Sequence, residues 1–176
     1  LEHALQHFHI TVDGLTAVDL GASTGGFTDC LLQHGATRVC AVDVGRGQLA
    51  WRLRVDPRVV VLEGTNARHL RPEHIPPGIL PAGLVVVDCS FISLRLVLPS
   101  AVALLAPAGR IIALIKPQFE AGKAEADRGQ GVITDPRVHE RVLRELEEFV
   151  EQSGSLRWRA VTESPLRGPA GNKEFL

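Results

Sequence analysis

The chain has 176 residues, of which 45% are hydrophobic and 22% are charged, and its formal net charge at pH 7 is −1. This composition excludes an intrinsically disordered chain, which would need fewer apolar residues and a larger net charge. It also excludes a membrane span, because no run of about 18 uninterrupted apolar residues occurs. A single globular domain with its own core is the class that remains. No basic segment followed by an apolar stretch marks a secretory signal, so we expect a cytoplasmic protein.

The cysteines and the first residue lead to two further expectations. Cys30, Cys40 and Cys89 are odd in number and lack CxxC spacing, which favours reduced thiols over disulfides or a metal site. A translated protein begins with Met, whereas this chain begins with Leu1 and contains no Met. We therefore expect a fragment of a longer protein, without a bound metal.

Short apolar runs alternate with helical segments along the chain. The segments predicted as strands are 17–20, 38–43, 59–62, 84–88 and 110–115, with two more candidates at 156–161 and 173–176. Predicted helices cover 27–34, 48–54, 94–105 and 136–152, and a glycine-rich loop covers 121–131. Continuous apolar strands separated by helices predict an α/β fold. We expect a doubly wound, Rossmann-like sheet that is mostly parallel, with an antiparallel strand near the C-terminus.

Polar residues follow the predicted strands at the point where each strand ends. They are the turn 19–26, Asp43, the pair Thr65 and Asn66, Asp88, and Lys116. Ligands of a doubly wound sheet bind outside the carboxyl ends of its strands. The sequence therefore predicts one shared ligand site at this edge of the sheet.

The glycine-rich turn after the first strand narrows the choice of ligand. It lacks the GxxxxGK[ST] pattern of a phosphate-binding loop. It also departs from the GxGxxG dinucleotide pattern, because Ser23 replaces the glycine that lets a pyrophosphate approach. S-adenosylmethionine, which has no phosphate and carries two cationic groups, fits this turn better, although Asp43 would suit the ribose of NAD equally. Gly25 and Gly26 are expected to permit close packing of the helix start against the sheet.

Lys116 ends the fifth predicted strand and precedes a proline. Pro117 restricts Lys116 to extended backbone, which leaves the lysine side chain at the carboxyl edge of the sheet. We expect Asp88 nearby, because strands four and five should be adjacent, and Glu174 on the last strand would complete a polar cluster. Such a cluster can orient a substrate hydroxyl.

Five motifs, taken in order, carry a resemblance to a known family. They are DLGASTGGFTD at 19–29, DVGRGQL at 43–49, DCSFISL at 88–94, KPQFE at 116–120 and GNKEF at 171–175. Together they cover essentially the whole chain and resemble the TlyA-type methyltransferases. These are FtsJ-like ribosomal RNA 2'-O-methyltransferases, which are sometimes labelled haemolysins.

The resemblance implies that S-adenosylmethionine is the cofactor and that its methyl group goes to a cytidine 2'-hydroxyl of ribosomal RNA. The implied partners are therefore ribosomal RNA or ribosomal subunits, with no membrane and no metal. By motif match, Asp88, Lys116 and Glu174 take the last three places of a Lys-Asp-Lys-Glu catalytic set. The residues implied for cofactor binding are Asp19, Gly21, Ser23, Gly25, Gly26, Phe27, Asp43, Asn66 and Asp88, with Asp43 on the ribose and Asn66 at the adenine edge.

Two features of that family have no counterpart in this sequence. The first catalytic lysine of the family lies just before the segment where this chain begins, and a small RNA-binding domain precedes it. We therefore expect residues 1–176 to be the methyltransferase domain of a longer protein. Alone, it is expected to bind cofactor and to methylate RNA weakly or not at all.

Other functions stay open at this point. A base amino-methyltransferase would show an Asp/Asn-Pro-Pro-aromatic motif, but the run from Asp88 to Phe91 lacks both prolines. A cytosine carbon-methyltransferase would need a nucleophilic thiol in a Pro-Cys pair, whereas Cys89 follows Asp88 and is interpreted as a small packed residue. A membrane-active haemolysin would need a spanning or cationic amphipathic segment. A non-catalytic module that senses cofactor or binds RNA is the remaining alternative.

The charge along the chain is uneven. Residues 38–71 contain seven arginines against three acidic residues. Arginine is the preferred side chain for reading phosphates, so this stretch is a candidate RNA-facing surface. Composition alone does not decide between that surface and an ordinary solvated one, and it does not give the oligomeric state.

Overall fold

The computed structural model describes residues 1–122, 124–125 and 129–176, and within these ranges it has one sheet of five parallel strands. The strands are β1 (Thr16–Leu20), β2 (Arg38–Asp43), β3 (Val59–Glu63), β4 (Ala82–Val87) and β5 (Leu105–Ala113). Their order across the sheet is β3-β2-β1-β4-β5. This is the strand order of a doubly wound Rossmann-type sheet. Successive strands are added on one side of β1 up to β3, and from β4 onward they are added on the other side. The predicted fold class is confirmed.

Six α-helices accompany the strands in the described ranges. They are α1 (Glu2–His7), α2 (Gly26–Gln33), α3 (Trp51–Arg54), α4 (Leu94–Ala103), α5 (Pro117–Glu120) and α6 (Pro136–Gln152). The start of α6 is the predicted one: the Asp135 carboxylate accepts a hydrogen bond from the Arg137 N–H at 2.9 Å, and Pro136 takes the first helical position. Part of the predicted loop at 121–131, namely residues 123 and 126–128, lies outside the described residues.

Helix α3 is shorter than predicted, and its N-terminal limit has a visible cause. The prediction began this helix at Gln48, but the helix begins at Trp51. The preceding loop is held instead by Glu63 at the end of β3, which accepts hydrogen bonds from the backbone N–H groups of Gly47 at 2.9 Å and Leu49 at 3.5 Å. Because the Glu63 carboxylate already accepts from these N–H groups, the segment before Trp51 does not need helical hydrogen bonds to satisfy them.

Strand β5 begins five residues earlier than the sequence predicts, at Leu105 instead of Arg110. The intervening Pro107 and Gly109 indicated a stop, and such residues are rare inside central strands. The structure accommodates them in two ways. The β4–β5 pairing shifts register between Ala82 and Leu84, as at a β-bulge, and β5 lies at the edge of the sheet.

The chain divides into two compact units. The first unit comprises Leu1–Cys89 and Val97–Ala113, and it contains the whole sheet. Its core lies along the central strands, where Val18, Leu20, Val85 and Val86 are fully buried. In β1, Leu20 pairs with Val42 of β2 and with Val87 of β4, so the carboxyl ends of these strands lie level at one edge.

The second unit comprises Ser90–Leu96 and Leu114–Leu176. Its long helix α6 buries Val142, Leu146 and Val150, which recur every four residues along one helix face. The prediction of two C-terminal strands is wrong: residues 156–161 and 173–176, all of them described, do not form strands. The expected antiparallel pairing is present at Phe175, but only as isolated bridges to Ile115 and Glu163. No helix in the described part of the chain has the length and apolarity needed to cross a membrane.

Candidate active site

The glycine-rich turn after β1 packs between the end of β2 and the residue that follows β4. The backbone N–H groups of Gly21 and Ala22 both donate to the carbonyl of Val42, at 2.9 and 3.0 Å. On the other side, a Cβ atom at position 21 would lie 2.4 Å from the carbonyl oxygen of Asp88, and the Gly21 φ angle is +92°. Both observations require glycine at this position. The turn therefore fixes the ends of β1, β2 and β4 against one another.

Gly25 and Gly26 differ, although the sequence predicts the same role for both. Gly25 has φ of +101°, and a Cβ there would come within 2.2 Å of the Leu53 side chain, so close packing is present, but it is against helix α3 and not against the sheet as predicted. A Cβ on Gly26 would meet nothing within 4 Å, so the prediction of close packing at Gly26 is wrong. Gly26 is exposed and begins helix α2, so the space beside this first residue of the helix is open.

Asp43 organises the loops on both sides of the β2 end. Its Oδ2 accepts a hydrogen bond from the Ser23 N–H at 2.8 Å, and its Oδ1 accepts one from the Gly45 N–H at 2.7 Å. The side chain is half-buried. Each carboxylate oxygen has two lone pairs, so both oxygens keep acceptor capacity toward a hydroxyl group.

Asp19 is a fully buried carboxylate beneath the same turn. Its Oδ2 accepts a hydrogen bond from the Thr28 hydroxyl at 2.7 Å. Its Oδ1 accepts no hydrogen bond from any described residue. Burial, with the nearby charges of Asp88 and Asp43, raises the pKa of Asp19 to about 7, although the Thr28 hydrogen bonds oppose this. An incompletely satisfied buried carboxylate is suited to receiving a cationic group.

Asp88 and Cys89 follow β4 at the same edge of the first unit. The Asp88 N–H donates to the Leu20 carbonyl at 2.9 Å, which continues the β1–β4 pairing by one residue. The Cys89 thiol donates to the same carbonyl at 3.5 Å and is half-buried. This placement agrees with the interpretation of Cys89 as a packed residue.

Two predicted cofactor residues lie on neighbouring elements. Phe27 is half-buried in the first turn of α2. Asn66 is exposed, and its side-chain oxygen accepts a hydrogen bond from the Arg68 N–H at 3.0 Å, which caps a short 3-10 helix at Ala67–His69. The sequence did not predict this capping role.

In the second unit, the backbone brings Lys116 and Glu174 together. Ile115 and Phe175 exchange two backbone hydrogen bonds, of 2.7 and 3.0 Å, in an antiparallel bridge. In that register, Lys116 stands opposite Glu174. Lys116 has the extended backbone expected before Pro117, with φ of −115° and ψ of 99°, and Glu174 is only 7% exposed. The Lys116 ammonium donates to the hydroxyl of Ser90 at 2.9 Å.

The motifs that carry these residues match a known protein family. The profile of the FtsJ-like methyltransferases matches residues 1–176, the full length of the chain. The chain belongs to the FtsJ-like methyltransferase family. The predicted resemblance is thereby confirmed, and the loops that carry its motifs are those at the ends of β1, β2 and β4 and around Lys116.

Named relatives agree with this assignment. The chain is 49% identical over 174 residues to the 16S/23S rRNA (cytidine-2'-O)-methyltransferase TlyA of Mycobacterium tuberculosis, covering 98% of this chain and 62% of that protein. It is 47% identical over 176 residues to a candidate rRNA methyltransferase, YqxC of Bacillus subtilis, covering 100% of this chain and 61% of that protein. The chain therefore spans less than two thirds of the length of these relatives.

A solved structure of a candidate hemolysin from Streptococcus thermophilus has the same fold. It superposes with a TM-score of 0.93 at 42% sequence identity, covering 99% of this chain and 62% of that chain. FtsJ-like proteins therefore include relatives with hemolysin-type names beside relatives named as rRNA methyltransferases.

Two residues of this FtsJ-like domain that sequence reasoning did not assign stand out near Lys116. Phe91 is 90% exposed, has φ of +62°, and its ring centre lies 5.0 Å from that of Phe119. Glu120 is half-buried and binds residues 93 and 94. Burial raises the pKa of Glu120, while hydrogen bonds from Ser93 and Leu94 and the charge of Arg95 oppose that effect. In the sequence, the only signal for Phe91 and Glu120 is that they lie in the motifs at 88–94 and 116–120.

The arginine-rich stretch is largely committed to local ion pairs. Four of its seven arginines contact a carboxylate: Arg52 with Asp29 at 2.9 Å, Arg54 with Glu63 at 2.5 Å, Arg58 with Asp56 at 2.7 Å and Arg71 with Glu73 at 3.7 Å. Arg52, Arg58 and Arg71 stay largely exposed in these pairs, and exposed ion pairs are weak. An RNA-facing surface on this stretch therefore stays a prediction.

One group of three possible metal ligands occurs among the described residues of this FtsJ-like domain. Atoms of Glu2, Cys30 and His34 lie within 4.8 Å of one another. The His34 ring nitrogen Nε2 contacts the Glu2 carboxylate at 3.1 Å, and burial raises the pKa of the Cys30 thiol to about 11. In the absence of an ion, these side chains hold one another, which joins the start of α1 to the end of α2.

Proposed function

We propose that this chain is the catalytic domain of a ribosomal RNA 2'-O-methyltransferase. The reaction is transfer of a methyl group from S-adenosylmethionine to a cytidine 2'-hydroxyl. The two rRNA methyltransferase names among relatives 47% and 49% identical to the chain support this reaction and substrate. The observation that carries the cofactor part is Asp19, a fully buried carboxylate whose Oδ1 has no hydrogen-bond donor among the described residues. Because ribosomal RNA is cytoplasmic, we also place the protein there.

The first unit fits S-adenosylmethionine by the chemistry of its polar groups. Asp19 offers a carboxylate to a cation, and Asp43 offers acceptors to ribose hydroxyls. The open space beside Gly26, where a Cβ would meet nothing within 4 Å, leaves room at the start of α2. Gly21, Ser23, Gly25, Phe27, Asn66 and Asp88 complete the set that we propose for cofactor binding. When bound, S-adenosylmethionine supplies an electrophilic methyl group on a positively charged sulfur.

Lys116, Glu174 and Asp88 are the residues that we propose act on the hydroxyl group. Methylation of a ribose hydroxyl releases its proton, so a group must take or steer that proton. We assign this role to Lys116, whose Nζ lies 2.9 Å from the Ser90 hydroxyl oxygen. As an ammonium group it steers the hydroxyl oxygen toward the methyl group, and only as a neutral amine does it take the proton. Glu174, opposite Lys116 in register, orients the lysine side chain. Asp88 takes the remaining place of the catalytic set.

The exposure of Phe91 supports the proposal that the substrate is RNA. Phe91 is 90% exposed, so its ring is accessible to a ligand. Proteins that recognise unpaired RNA commonly stack bases on such rings. Phe91 follows Ser90, the partner of Lys116, so a stacked base would lie in the same loop that orients the lysine.

A second candidate function rests on the hemolysin-type names of relatives such as the Streptococcus thermophilus protein. It predicts that purified protein lyses erythrocytes without S-adenosylmethionine. A methyltransferase would leave the cells intact under the same conditions. Haemolysis that survives Lys116→Ala would favour the membrane activity.

The proposed function is tested by methyl transfer to ribosomal subunits. The full-length protein is incubated with radiolabelled S-adenosylmethionine and separated small and large subunits, and the RNA is digested and analysed as nucleosides. We expect 2'-O-methylcytidine. Cytidine methylated on an amino group or a ring carbon would instead indicate one of the other methyltransferase classes, and cofactor binding without any methylated nucleoside would indicate a binding module.

A further inference from the structure

We propose that Glu120 is a positioning residue that holds the 90–94 loop, defined as residues 90–94, in the conformation that orients Lys116 and presents Phe91. This inference rests on the proposed function, because it concerns the same reaction. It goes beyond the catalytic set, since Glu120 acts through the loop and not on substrate.

The Glu120 carboxylate binds the loop with both of its oxygens. Oε2 accepts a hydrogen bond from the Ser93 hydroxyl at 2.6 Å, and Oε1 accepts one from the Leu94 N–H at 2.7 Å. The Ser93 hydroxyl in turn accepts from the Arg95 N–H at 3.2 Å. One carboxylate therefore satisfies, directly or through Ser93, donors in the first turn of α4, which begins at Leu94.

Two further contacts join the same two segments. The Lys116 ammonium donates to the Ser90 hydroxyl at 2.9 Å, and the rings of Phe91 and Phe119 lie 5.0 Å apart. The segment 116–120 thus touches the 90–94 loop at both of its ends and in between. Because Lys116 and Glu120 are four residues apart, they bracket the single helical turn of α5.

We call the hydrogen bonds from Glu120 to Ser93 and Leu94, and from Lys116 to Ser90, the clamp. The conformation of the loop explains why a clamp is needed. Phe91 has φ of +62°, a region that residues with a side chain rarely adopt. The residue is 90% exposed, so burial of its side chain does not hold this conformation. Strained residues persist only when their surroundings over-determine them. The bonds from Glu120 to residues 93 and 94 supply that constraint on the C-terminal side, and the Lys116 bond to Ser90 supplies it on the other.

The test replaces Glu120 by glutamine, which has nearly the same shape but only one acceptor oxygen. In Glu120→Gln the amide oxygen can still accept from the Leu94 N–H, but the amide nitrogen can only donate, so the Ser93 hydroxyl must change from donor to acceptor. Both bonds then lose the negative charge that strengthens them. The matched control is Glu148→Gln, which removes a carboxylate from an exposed position of α6 in the same unit. We expect kcat to fall roughly 10-fold to 100-fold in Glu120→Gln, because small displacements of reacting groups are that costly.

A positioning role has a signature that general destabilisation lacks. The affinity for S-adenosylmethionine and the melting temperature of Glu120→Gln should match those of Glu148→Gln. Ser93→Ala should reproduce part of the kcat loss, and the double variant should lose less than the product of the two single losses, because both variants break one clamp. Additive losses, or a parallel loss of cofactor affinity and melting temperature, would overturn the proposal.

Hydrogen exchange separates this inference from the proposed function. The amide of Leu94 should exchange at least several-fold faster in Glu120→Gln than in Glu148→Gln, whether or not RNA is methylated. If the wild-type protein shows no methyl transfer but the Leu94 amide loses protection, the proposed function fails and the clamp stands. If methyl transfer is normal in Glu120→Gln, the clamp is irrelevant to catalysis and the inference is wrong.

Discussion

The backbone N–H of Ser23 donates a hydrogen bond to the Asp43 carboxylate at 2.8 Å. This bond joins the glycine-rich turn after β1 to the end of β2, two segments that are 20 residues apart. Ser23 itself has φ of +49°, so the bond also holds a residue that is not glycine in an uncommon conformation. Asp43 consequently shapes the turn before any ligand arrives.

The first prediction follows from this double role of Asp43. Asp43→Ala removes the acceptors for Ser23, for Gly45 and for the proposed ribose hydroxyls. We expect S-adenosylmethionine affinity to fall more than about 10-fold, since each lost hydrogen bond to a charged group is worth roughly 1.5 kcal/mol or more. Asp43→Asn keeps one acceptor and should lose less. Isothermal titration calorimetry measures both variants. Asp56→Asn, which breaks only the surface pair with Arg58, should bind normally.

The second prediction separates the two adjacent glycines. Gly25→Ala should lower the melting temperature, because its Cβ would collide with Leu53 at 2.2 Å and its φ is +101°. Gly26→Ala should keep or raise the melting temperature, since alanine is favoured over glycine within a helix by roughly 0.5–1 kcal/mol. If Gly26→Ala nevertheless weakens S-adenosylmethionine binding, the loss reports on contact with the ligand. Equal destabilisation by both substitutions would contradict the geometry at position 26.

The third prediction concerns pH and Asp19. Its pKa is raised from 3.8 to about 7, so between these values the folded protein binds a proton that the unfolded chain has released. Stability should therefore fall as pH rises through this window, by at most about 1.4 kcal/mol per pH unit from this group. Asp19→Asn cannot titrate, so its melting temperature should depend less on pH between about 4 and 7. A wild-type curve with the same slope as the Asp19→Asn curve would refute this.

Cofactor binding should show the opposite trend with pH. A cationic ligand favours the ionised carboxylate, so S-adenosylmethionine affinity should rise with pH up to about 7, the pKa of Asp19, and then level off. Binding below that pH should release protons, which calorimetry in buffers of different ionisation enthalpy detects. Asp19→Asn should bind more weakly and without proton release.

The fourth prediction tests the assignment of Lys116. Lys116→Ala should lower methyl transfer by roughly 100-fold or more, the usual range for a group that handles a proton. Its S-adenosylmethionine affinity should stay within about twofold of the wild type, because no cofactor role is proposed for Lys116. Arg144→Ala, which removes an exposed cation from α6, is the control and should turn over normally. Unchanged turnover in Lys116→Ala would exclude the lysine from the reaction.

The sheet and the residues at its edge could be predicted because both depend on local pattern. Apolar runs mark buried parallel strands, and a polar residue after such a run is carried to the carboxyl edge by the strand itself. Asp19, Asp43 and Asp88 were found in this way. The start of β5 was missed because Pro107 and Gly109 indicate a break, and the register shift that absorbs them is a property of the pairing with β4.

The finer features of the site depend on contacts between distant segments. Nothing near Gly26 in the sequence shows that its surroundings are open while those of Gly25 are closed by Leu53. The Glu120 bond to the Leu94 N–H spans 26 residues, so no local pattern contains it. Asn66 is a local exception, because its side-chain oxygen accepts from the Arg68 N–H only two residues further on, which leaves the amide N–H groups for the proposed cofactor contact.

The close approach of Gly21 to the Asp88 carbonyl also limits how this scaffold can be redesigned. A side chain at position 21 would collide with main chain, which cannot swing aside as a side chain can. A mutant library that varies this position should yield few folded proteins. A side chain at Gly26 would meet no atom within 4 Å, but it would enter the space that we propose for the cofactor. Directed evolution toward new hydroxyl substrates should therefore begin at the exposed Phe91 and leave residues 21 and 26 unchanged.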